Sequence, residues 1–477
     1  MIHIIHPLQN NIMSKFTIFA VNSTTEEIHQ LSYDNSNSSL HDIGKDIIYP
    51  LEKPFKKDLS SYNYRAFPLS KDNPAPKSRD FSLLKISLGL KCNYSCEYCS
   101  QRFVPGAELE QPFNVEEFVD KVSSNFIFGD EGAFKKIEFW GGEPLLYWNK
   151  IVSMTELFKE KYPKLSFSII TNGSLMTKEK ADWLYEMGFG LAISHDGPGQ
   201  KVRGPNPFDI PKTKEAILYL YNKMAPEGRM SFNAMLNNAN TSRAAIQEYF
   251  VNFTGDPNVN IGEGGFVDAY DIGGLAMSLE KTKFKSFSFE SFKQIRQFKC
   301  TNFITVKTKI SGFFDTIFKS KKSSGLGQKC GMDKMDAIAI DLDGNVITCQ
   351  NLTVNAVSPN GNSHKIGHID DFDNISLNTA THWSHRKDCA TCPVLQLCQG
   401  SCMYIEGPLW DASCNNAYYD NIPYFCSVIE HMTGCVPIYI DGDLPEERKD
   451  IFGLFGDGKF SEENFDSKKF YEFLETP

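Results

Sequence analysis

The chain has 477 residues, 13 cysteines and a formal net charge of −10 at pH 7. No apolar run reaches the length of a membrane span and the first residues lack a signal-peptide pattern, so we expect a cytoplasmic protein of two or three domains with no membrane partner. The acidic charge argues against a nucleic-acid partner, and cysteines in a reducing compartment are more often metal ligands or buried thiols than disulfides.

From about residue 80 the sequence alternates short apolar runs with helical patterns. Asn114 precedes the acidic start of one helical pattern and predicts an N-cap, and Gly188 predicts the end of another helix. This alternation predicts an α/β fold with parallel strands and crossover helices, in which ligands bind beyond the carboxyl ends of the strands. Strands are predicted at 82–90, 136–140, 165–170, 190–194 and 230–236, and helices at 114–128, 149–162, 178–188 and 212–224.

Three cysteines follow the first predicted strand directly. Cys92, Cys96 and Cys99 have the spacing Cys-x3-Cys-x2-Cys. Three explanations compete: half of a structural zinc site, disulfides, or a redox cluster that three thiolates hold with one position left open. The composition argues against disulfides, and thiolates suit both zinc and iron–sulfur chemistry.

Polar clusters also follow the next three predicted strands. They are Gly141-Gly142-Glu143-Pro144, Thr171-Asn172-Gly173 and Ser194-His195-Asp196-Gly197-Pro198. Together with the cysteine motif they resemble the radical S-adenosylmethionine (SAM) superfamily, and within it the branch that modifies peptides and proteins. The resemblance covers roughly residues 80–240 and implies a partial (β/α)6 TIM-like barrel.

The resemblance also implies what these residues do. The three thiolates hold a [4Fe-4S] cluster whose fourth iron binds SAM, and a 5′-deoxyadenosyl radical derived from SAM abstracts a hydrogen from the substrate. Arg203 takes the SAM carboxylate in a bidentate pair that lysine would not reproduce, and Glu143 takes the SAM ammonium. The alternatives are N-cap or surface roles for several of these side chains. The other implied roles are adenine packing (Tyr98), backbone approach to the methionine end (Gly141, Gly142), ribose contact (Ser194), further cofactor contacts (Thr171, Asn172) and candidate bases near the substrate (Asp196, Asp209).

A second cysteine array follows a Ser/Lys/Gly stretch, "KSKKSSGLGQK". Within the array, after Cys330, "AIAIDLDGNVITC" predicts a β-hairpin that ends at Cys349. The spacing of the array resembles the SPASM extension of peptide-modifying radical SAM enzymes, which binds two auxiliary [4Fe-4S] clusters; a pair of zinc sites is the alternative. By this resemblance the first cluster takes Cys330, Cys349 and Cys402, and the second takes Cys389, Cys392 and Cys398.

Each auxiliary cluster needs a further ligand. For the second cluster we choose Cys414, which we place in a loop. Cys426 is expected to be a buried apolar thiol, in a helix with Pro423 in its first turn. For the first cluster, either Cys300 reaches in or one iron is open to water or substrate.

These patterns predict five parts of the chain. They are an N-terminal segment that either binds a leader peptide or packs as an arm on the barrel (1–79), the radical SAM core (80–265), a connector (266–327), a SPASM domain with a small β-hairpin and helices (328–435), and an acidic C-terminal tail (436–477).

The residue after Cys349 bears on the substrate. Sulfatase maturases typically carry Asp at this position, where this chain has Gln350, and an amide has no basic site near neutral pH. We therefore expect a maturase that crosslinks a ribosomally made precursor peptide through a C–C, ether or thioether bond, of the darobactin type or another. The resemblance also implies a flavodoxin- or ferredoxin-type electron donor. The alternatives are a sulfatase-maturase-like or other protein-modifying oxidase, and an iron–sulfur electron-transfer protein.

Overall fold

A computed structural model describes residues 15–51, 74–101, 113–262, 264–358, 361–377, 381–386 and 388–476. Parts of the predicted N-terminal segment, residues 1–14 and 52–73, lie outside the described residues. Within those described ranges, no helix is long and apolar enough to cross a membrane.

The described residues form three sheets. The largest has nine strands in the order β11-β10-β9-β8-β7-β6-β12-β13-β14, the second has the order β16-β1-β2-β3-β4, and β5 pairs with β15. The strands are β1 Lys15–Asn22, β2 Ile28–Asp34, β3 Ser39–Asp42, β4 Ile47–Tyr49, β5 Ala75–Pro76, β6 Leu83–Ser87, β7 Lys136–Trp140, β8 Ser166–Thr171, β9 Gly190–Ser194, β10 Met230–Asn233, β11 Ile261–Gly262, β12 Ala337–Asp341, β13 Asn345–Ile347, β14 Lys365–His368, β15 Ser376–Leu377 and β16 Cys435–Asp441.

Helices connect most of these strands. Within the described ranges they are α1 Val115–Asn125, α2 Trp148–Lys161, α3 Lys178–Glu186, α4 Pro211–Met224, α5 Arg243–Thr254, α6 Ile272–Ala276, α7 Phe284–Arg296, α8 Ile304–Phe318, α9 Leu395–Cys398, α10 Gly407–Thr433, α11 Glu446–Lys449 and α12 Ser467–Glu475.

The six strands from β6 to β11 run parallel, each beside the next in chain order. This arrangement confirms the predicted α/β class and partial TIM-like barrel. The local signals are confirmed as well, because the Asn114 side chain accepts a hydrogen bond from the amide of Glu117 at the start of α1. Gly188 follows α3 with φ +74°, the left-handed conformation that favours glycine. The predicted hairpin is the antiparallel pair β12 and β13.

The two ends of the chain share one antiparallel sheet. β16 pairs with β1 along its length, and Ile438 and Ile440 are fully buried. Residues 436–441, the beginning of the predicted tail, are therefore part of a packed sheet with the N-terminal segment. The described residues 15–51 contain strands and no helix. The division into five domains and the leader-binding role of the first stay predictions.

A single long helix contradicts two local predictions. Cys414 lies inside α10 rather than in a loop, and Pro423 lies in the interior of α10 rather than in its first turn, which contains Pro408. Proline in a helix interior removes a backbone hydrogen bond. α10 nevertheless continues because it packs on α7, α8 and β16, and its Asp420 forms a buried ion pair with Arg243 (2.6 Å). Tertiary packing outweighs the local signal.

Candidate functional site

The structure brings the three cysteines after β6 together in one loop. Cys92 is exposed, and Cys96 and Cys99 are half-buried. The amide of Cys99 donates to the carbonyl of Cys96 (3.0 Å), which closes the turn between them. Burial raises the pKa of Cys96 to about 11, and the neighbouring Cys99 and Cys92 thiolates also raise it. Three thiols are thus close enough to influence one another.

Two other residues fix this loop to the ends of neighbouring strands. Asn93 accepts a hydrogen bond from the Asn172 side chain and donates to the Ser174 hydroxyl, both at 2.9 Å. The Tyr94 hydroxyl donates to the carbonyl of Pro205 (2.6 Å). Sequence reasoning did not single out Asn93 or Tyr94. Their position within the cysteine motif is the signal that marks them as candidates to orient the thiols.

Gly141 and Gly142, which follow β7, pack closely against the backbone segment that leads from β6 into the cysteine loop. The amide of Gly142 donates to the carbonyl of Gly89 (3.0 Å). A Cβ atom at Gly141 would lie 2.7 Å from that same oxygen, and one at Gly142 would lie 2.3 Å from the Leu90 carbonyl oxygen and 2.5 Å from that of Lys91. Glycine is required here by a close approach of two backbones. Contact of Gly141 and Gly142 with the methionine end of SAM stays a prediction.

Glu143 connects the ends of β7 and β8. One of its carboxylate oxygens accepts hydrogen bonds from the Leu145 amide (2.9 Å) and the Thr171 hydroxyl (2.5 Å), and the other accepts from the Asn172 amide (2.8 Å). Burial raises the pKa of Glu143, against the lowering effect of these hydrogen bonds. Because a carboxylate can accept about four hydrogen bonds, one acceptor position stays free for the predicted ammonium.

Tyr98, Asp196 and Arg203 form a buried triad. The Tyr98 hydroxyl donates to one Asp196 oxygen (2.5 Å), and Arg203 Nη1 lies 2.7 Å from the Tyr98 oxygen and 3.5 Å from the other Asp196 oxygen. That oxygen also accepts from the amide of Met235 (3.1 Å). Burial raises the pKa of Asp196, and the Arg203 charge lowers it. The Asp196 side chain has no exposed surface, and its contacts orient Arg203 and Tyr98. The predicted role of Asp196 as a base that faces the substrate stays a prediction.

The other predicted residues of this region lie apart from the triad. Asp209 is exposed on a short turn, where it accepts a hydrogen bond from Asn206 (3.2 Å). Ser194 is half-buried at the carboxyl end of β9, at the same level as Asn233 of β10. The catalytic role of Asp209 and the ribose contact of Ser194 stay predictions.

Cys330, Cys349 and Cys402 form the first group of the C-terminal array. Burial raises the pKa of Cys349 most, and the nearby Cys402 and Cys330 thiolates raise it further. The Tyr270 hydroxyl hydrogen-bonds the Cys402 thiol. The three predicted ligands of the first auxiliary cluster are thus brought together from segments far apart in the chain.

Cys389, Cys392, Cys398 and Cys414 form the second group and line one small cavity. Arg448 lies at the same cavity, with Nη2 3.4 Å from the Cys414 sulfur. The helical position of Cys414 therefore does not remove it from the group in which it was predicted.

Two further cysteines lie outside both groups. Cys426 is fully buried within α10, as predicted for an apolar thiol. Cys300 is buried in the core beside Arg243, whose charge opposes the rise that burial causes in the pKa of Cys300. The structure gives the first group no contact with Cys300 among the described residues.

The barrel strands also carry a polar layer that sequence reasoning missed. Lys85, Glu138 and Ser168 lie side by side on β6, β7 and β8. Lys85 Nζ is 2.5 Å from one Glu138 oxygen, and the Ser168 hydroxyl donates to the other (3.3 Å). Lys85 also lies close enough to Cys349 to lower its pKa. Polar residues within short apolar strands, Lys85 in β6, Glu138 in β7 and Ser168 in β8, were the available signal.

A contact between two glutamines connects the first cysteine loop to the C-terminal array. The end of the Gln101 side chain lies 3.3 Å from the carbonyl oxygen of Gln350, which follows Cys349, and also contacts Gly141 and Trp140. The Gln350 side-chain oxygen is buried and has no hydrogen-bond partner among the described residues. A buried acceptor without a partner is costly. Gln350 is therefore an acceptor that could receive a hydrogen bond from a bound group.

Comparison with known proteins identifies relatives of this arrangement. Residues 86–263 match the radical SAM superfamily. The radical SAM cyclopropyl synthase TigE of Paramaledivibacter caminithermalis is 22% identical over 414 residues, which cover 80% of this chain and 79% of that protein. The serine-type anaerobic sulfatase-maturating enzyme of Bacteroides thetaiotaomicron is 24% identical over 366 residues, which cover 69% of this chain and 84% of that protein. Among solved structures, native anSMEcpe with bound AdoMet has a similar fold, with a TM-score of 0.54 at 18% identity over 73% of this chain and 99% of that one.

Proposed function

This chain carries a radical SAM domain at residues 86–263, and on that premise we propose that it is a peptide maturase that crosslinks side chains of a ribosomally made precursor. The single observation that carries the proposal is the position of the Cys92 loop relative to Cys349. Gln101, two residues after Cys99, lies 3.3 Å from the backbone carbonyl oxygen of Gln350, the residue after Cys349, so a substrate bound beside this contact would reach both cysteine groups.

The residues around the Cys92 loop fit an iron–sulfur cluster with bound SAM. When bound, that cluster and SAM together supply a 5′-deoxyadenosyl radical that abstracts a hydrogen from the substrate. Three thiols leave one iron without a protein ligand. Arg203 Nε is buried and has no partner within the described residues, so the guanidinium keeps a donor for a carboxylate. Glu143 keeps an acceptor for an ammonium group. Both ends of an amino acid such as the methionyl part of SAM would find a partner.

The C-terminal groups fit two auxiliary clusters of a SPASM domain. Zinc binds its sulfurs at about 2.3 Å, so four thiols around one zinc ion are closely packed. Each thiolate of a cubane binds a different iron, and the sulfurs stand further apart. Four cysteines line one cavity, which suits either a cubane or a zinc ion. The resemblance of the cysteine spacing to the SPASM extension favours clusters over zinc.

Crosslinking removes two hydrogens from the peptide. One is transferred as an atom to the 5′-deoxyadenosyl radical, and the other leaves as a proton and an electron. Cys330, Cys349 and Cys402 would hold the first auxiliary cluster beside Lys85, and such a cluster would supply an acceptor for the electron. Gln350 cannot take the proton, so Asp196, Asp209 and Glu138 are the candidate carboxylates. We assign the proton to Glu138, because its ion-pair partner Lys85 lies close to Cys349.

Replacement of Cys92, Cys96 and Cys99 by alanine tests the first step. The reduced, reconstituted variant should keep its auxiliary iron and lose 5′-deoxyadenosine formation, whereas a Cys426→Ala control should keep both. Undiminished 5′-deoxyadenosine from the triple variant would refute the assignment of these thiols.

A second candidate is an oxidase that acts on a folded protein. The similarity to a sulfatase-maturating enzyme over 84% of its length favours it, and Gln350 argues against it. The relative that is named a cyclopropyl synthase favours carbon–carbon bond formation instead. A neighbouring gene for a short precursor peptide would support the first function, and one for a sulfatase would support the second.

A further inference from the structure

A basic groove lies between α8, the loop of residues 319–329 and the residues around α9. Its volume is about 940 Å³. Phe313 and Leu397 contribute buried apolar surface. None of the described residues that line it is Asp or Glu, and five are lysines: Lys309, Lys319, Lys321, Lys322 and Lys329.

The groove keeps positive charge after its ion pairs are considered. Asp315 pairs with both Lys319 (2.5 Å) and Lys321 (2.8 Å) from outside the lining. Asp420 lies 3.9 Å from Lys309, and Asp268 lies 3.9 Å from Lys329. In these ion pairs, three carboxylates are partners of lysines in a groove that has five lysines. On a chain with a net charge of −10, this is a local reversal of sign, and it favours an anionic occupant.

The backbone of the lysine loop is held in place by the N-terminal sheet. The Ser38 hydroxyl donates to the carbonyl of Lys321, and the amide of Ser323 donates to the carbonyl of Ser36, both at 2.9 Å. A preformed, concave groove costs little to order on binding and admits an extended chain. The convex surface of a folded protein would reach only its rim.

The groove also adjoins the second cysteine group. Leu397 and Gln399, which line the groove, are the residues on either side of Cys398 in the chain, and Cys398 lines the cavity of the second group. A chain segment in the groove would therefore lie beside the C-terminal array, on the same molecule as the reacting site but outside it.

We propose that this groove binds an acidic, extended segment of the peptide substrate, outside the residues that react. The inference rests on the proposed peptide maturase function and adds a recognition site to it. Acidic side chains would meet the lysines while the backbone passes over Phe313 and Leu397. Such a second site would raise affinity without a change in the chemistry at the first.

The test measures binding of a fluorescein-labelled hexaglutamate peptide to the anaerobically reconstituted holoprotein by fluorescence anisotropy. A variant with Lys319→Gln, Lys321→Gln and Lys322→Gln should bind at least about tenfold more weakly, because several few-fold charge contacts multiply. A control with Lys212→Gln, Lys214→Gln and Lys468→Gln removes the same charge from other exposed positions and should bind as the parent does. Rising salt should weaken parental binding.

Equal affinity of the two variants for hexaglutamate would overturn the proposal. Tighter binding of a dT12 oligonucleotide at the same lysines would overturn it in favour of a nucleic acid. Slower reduction by flavodoxin with unchanged hexaglutamate binding would overturn it in favour of an electron donor. Iron content verifies that each variant is folded. The binding assay involves no turnover. A negative binding result would therefore refute the groove proposal alone, whereas loss of 5′-deoxyadenosine formation would concern the proposed maturase function.

Discussion

Asp196 could act either as a base or as a residue that positions its neighbours. Its side chain is buried, one oxygen accepts from Tyr98, and the other accepts from the Met235 amide and lies 3.5 Å from Arg203. We expect its main contribution to be to hold the Arg203 charge in place, with Arg203 as the predicted contact of SAM.

The Asp196→Asn variant tests whether Asp196 holds Arg203 in place. Loss of one partner of a buried ion pair costs about 3–5 kcal/mol, so we expect the free energy of unfolding to fall by roughly 3 kcal/mol in anaerobic denaturation. Formation of 5′-deoxyadenosine should fall as well, because Arg203 is no longer oriented. The exposed pair of Lys164 and Asp130 provides the control, since Asp130→Asn should leave both measurements unchanged. A variant that still cleaves SAM but yields no peptide product would instead make Asp196 the base.

Glu138 is the proposed proton acceptor in the crosslinking of the peptide, and it has no proposed role in the cleavage of SAM. Glu138→Gln keeps the shape of the side chain and removes its basic oxygen. We expect 5′-deoxyadenosine formation to stay within about twofold, while crosslinked product per 5′-deoxyadenosine falls by about 10²-fold or more, as for loss of a general base. Glu138→Asp should restore part of the product. If the product ratio of Glu138→Gln equals that of the parent, Glu138 is not the proton acceptor.

At the scale of elements, α10 joins the two halves of the C-terminal region. It carries Cys414 toward the cavity of the second cysteine group and buries Cys426 in the core. The two cysteines lie on the same helix, but Cys414 lines the cavity and Cys426 packs in the core. Replacement of Cys426 is therefore a matched control for replacement of Cys414.

Cys414→Ala should therefore lower the iron content, and Cys426→Ala should not. Three cubanes of four irons predict about twelve irons in the parent, and loss of one cluster predicts about eight in Cys414→Ala. Iron and zinc in anaerobically reconstituted protein are measured together by elemental analysis. A parent that retains about four irons and carries zinc in the C-terminal groups would restore the zinc interpretation.

Local signals predicted the barrel elements well and the C-terminal helix badly. β7 and β9 have the predicted bounds, because short apolar runs with flanking glycines fix a strand locally. The Asn114 cap likewise depends on four consecutive residues. Pro423 was misread because packing of α10 on α7, α8 and β16 overrides a local break. The contact of Lys85 with Glu138 and Cys349 depends on strand register and on distant segments, which no local pattern contains.

At the scale of the whole molecule, one sheet carries both the radical SAM strands and the hairpin of the C-terminal array. β6 pairs with β7 on one side and runs parallel to β12 on the other. The Cys92 loop leaves the carboxyl end of β6, whereas β13 runs back along β12, so Cys349 follows at the level where β6 begins. The approach of the two segments at Gln101 and Gln350 therefore depends on the loops and not on strand pairing. A peptide beside this contact would reach both cysteine groups.

The most direct test of this account is mass spectrometry of a neighbouring precursor peptide co-expressed with the protein. The account predicts a peptide lighter by two hydrogens, with fragmentation blocked between two linked residues, and an unmodified peptide with the Cys92, Cys96 and Cys99 triple alanine variant. An unmodified peptide with the parent protein, together with conversion of one Cys or Ser of a sulfatase to an aldehyde, would contradict it.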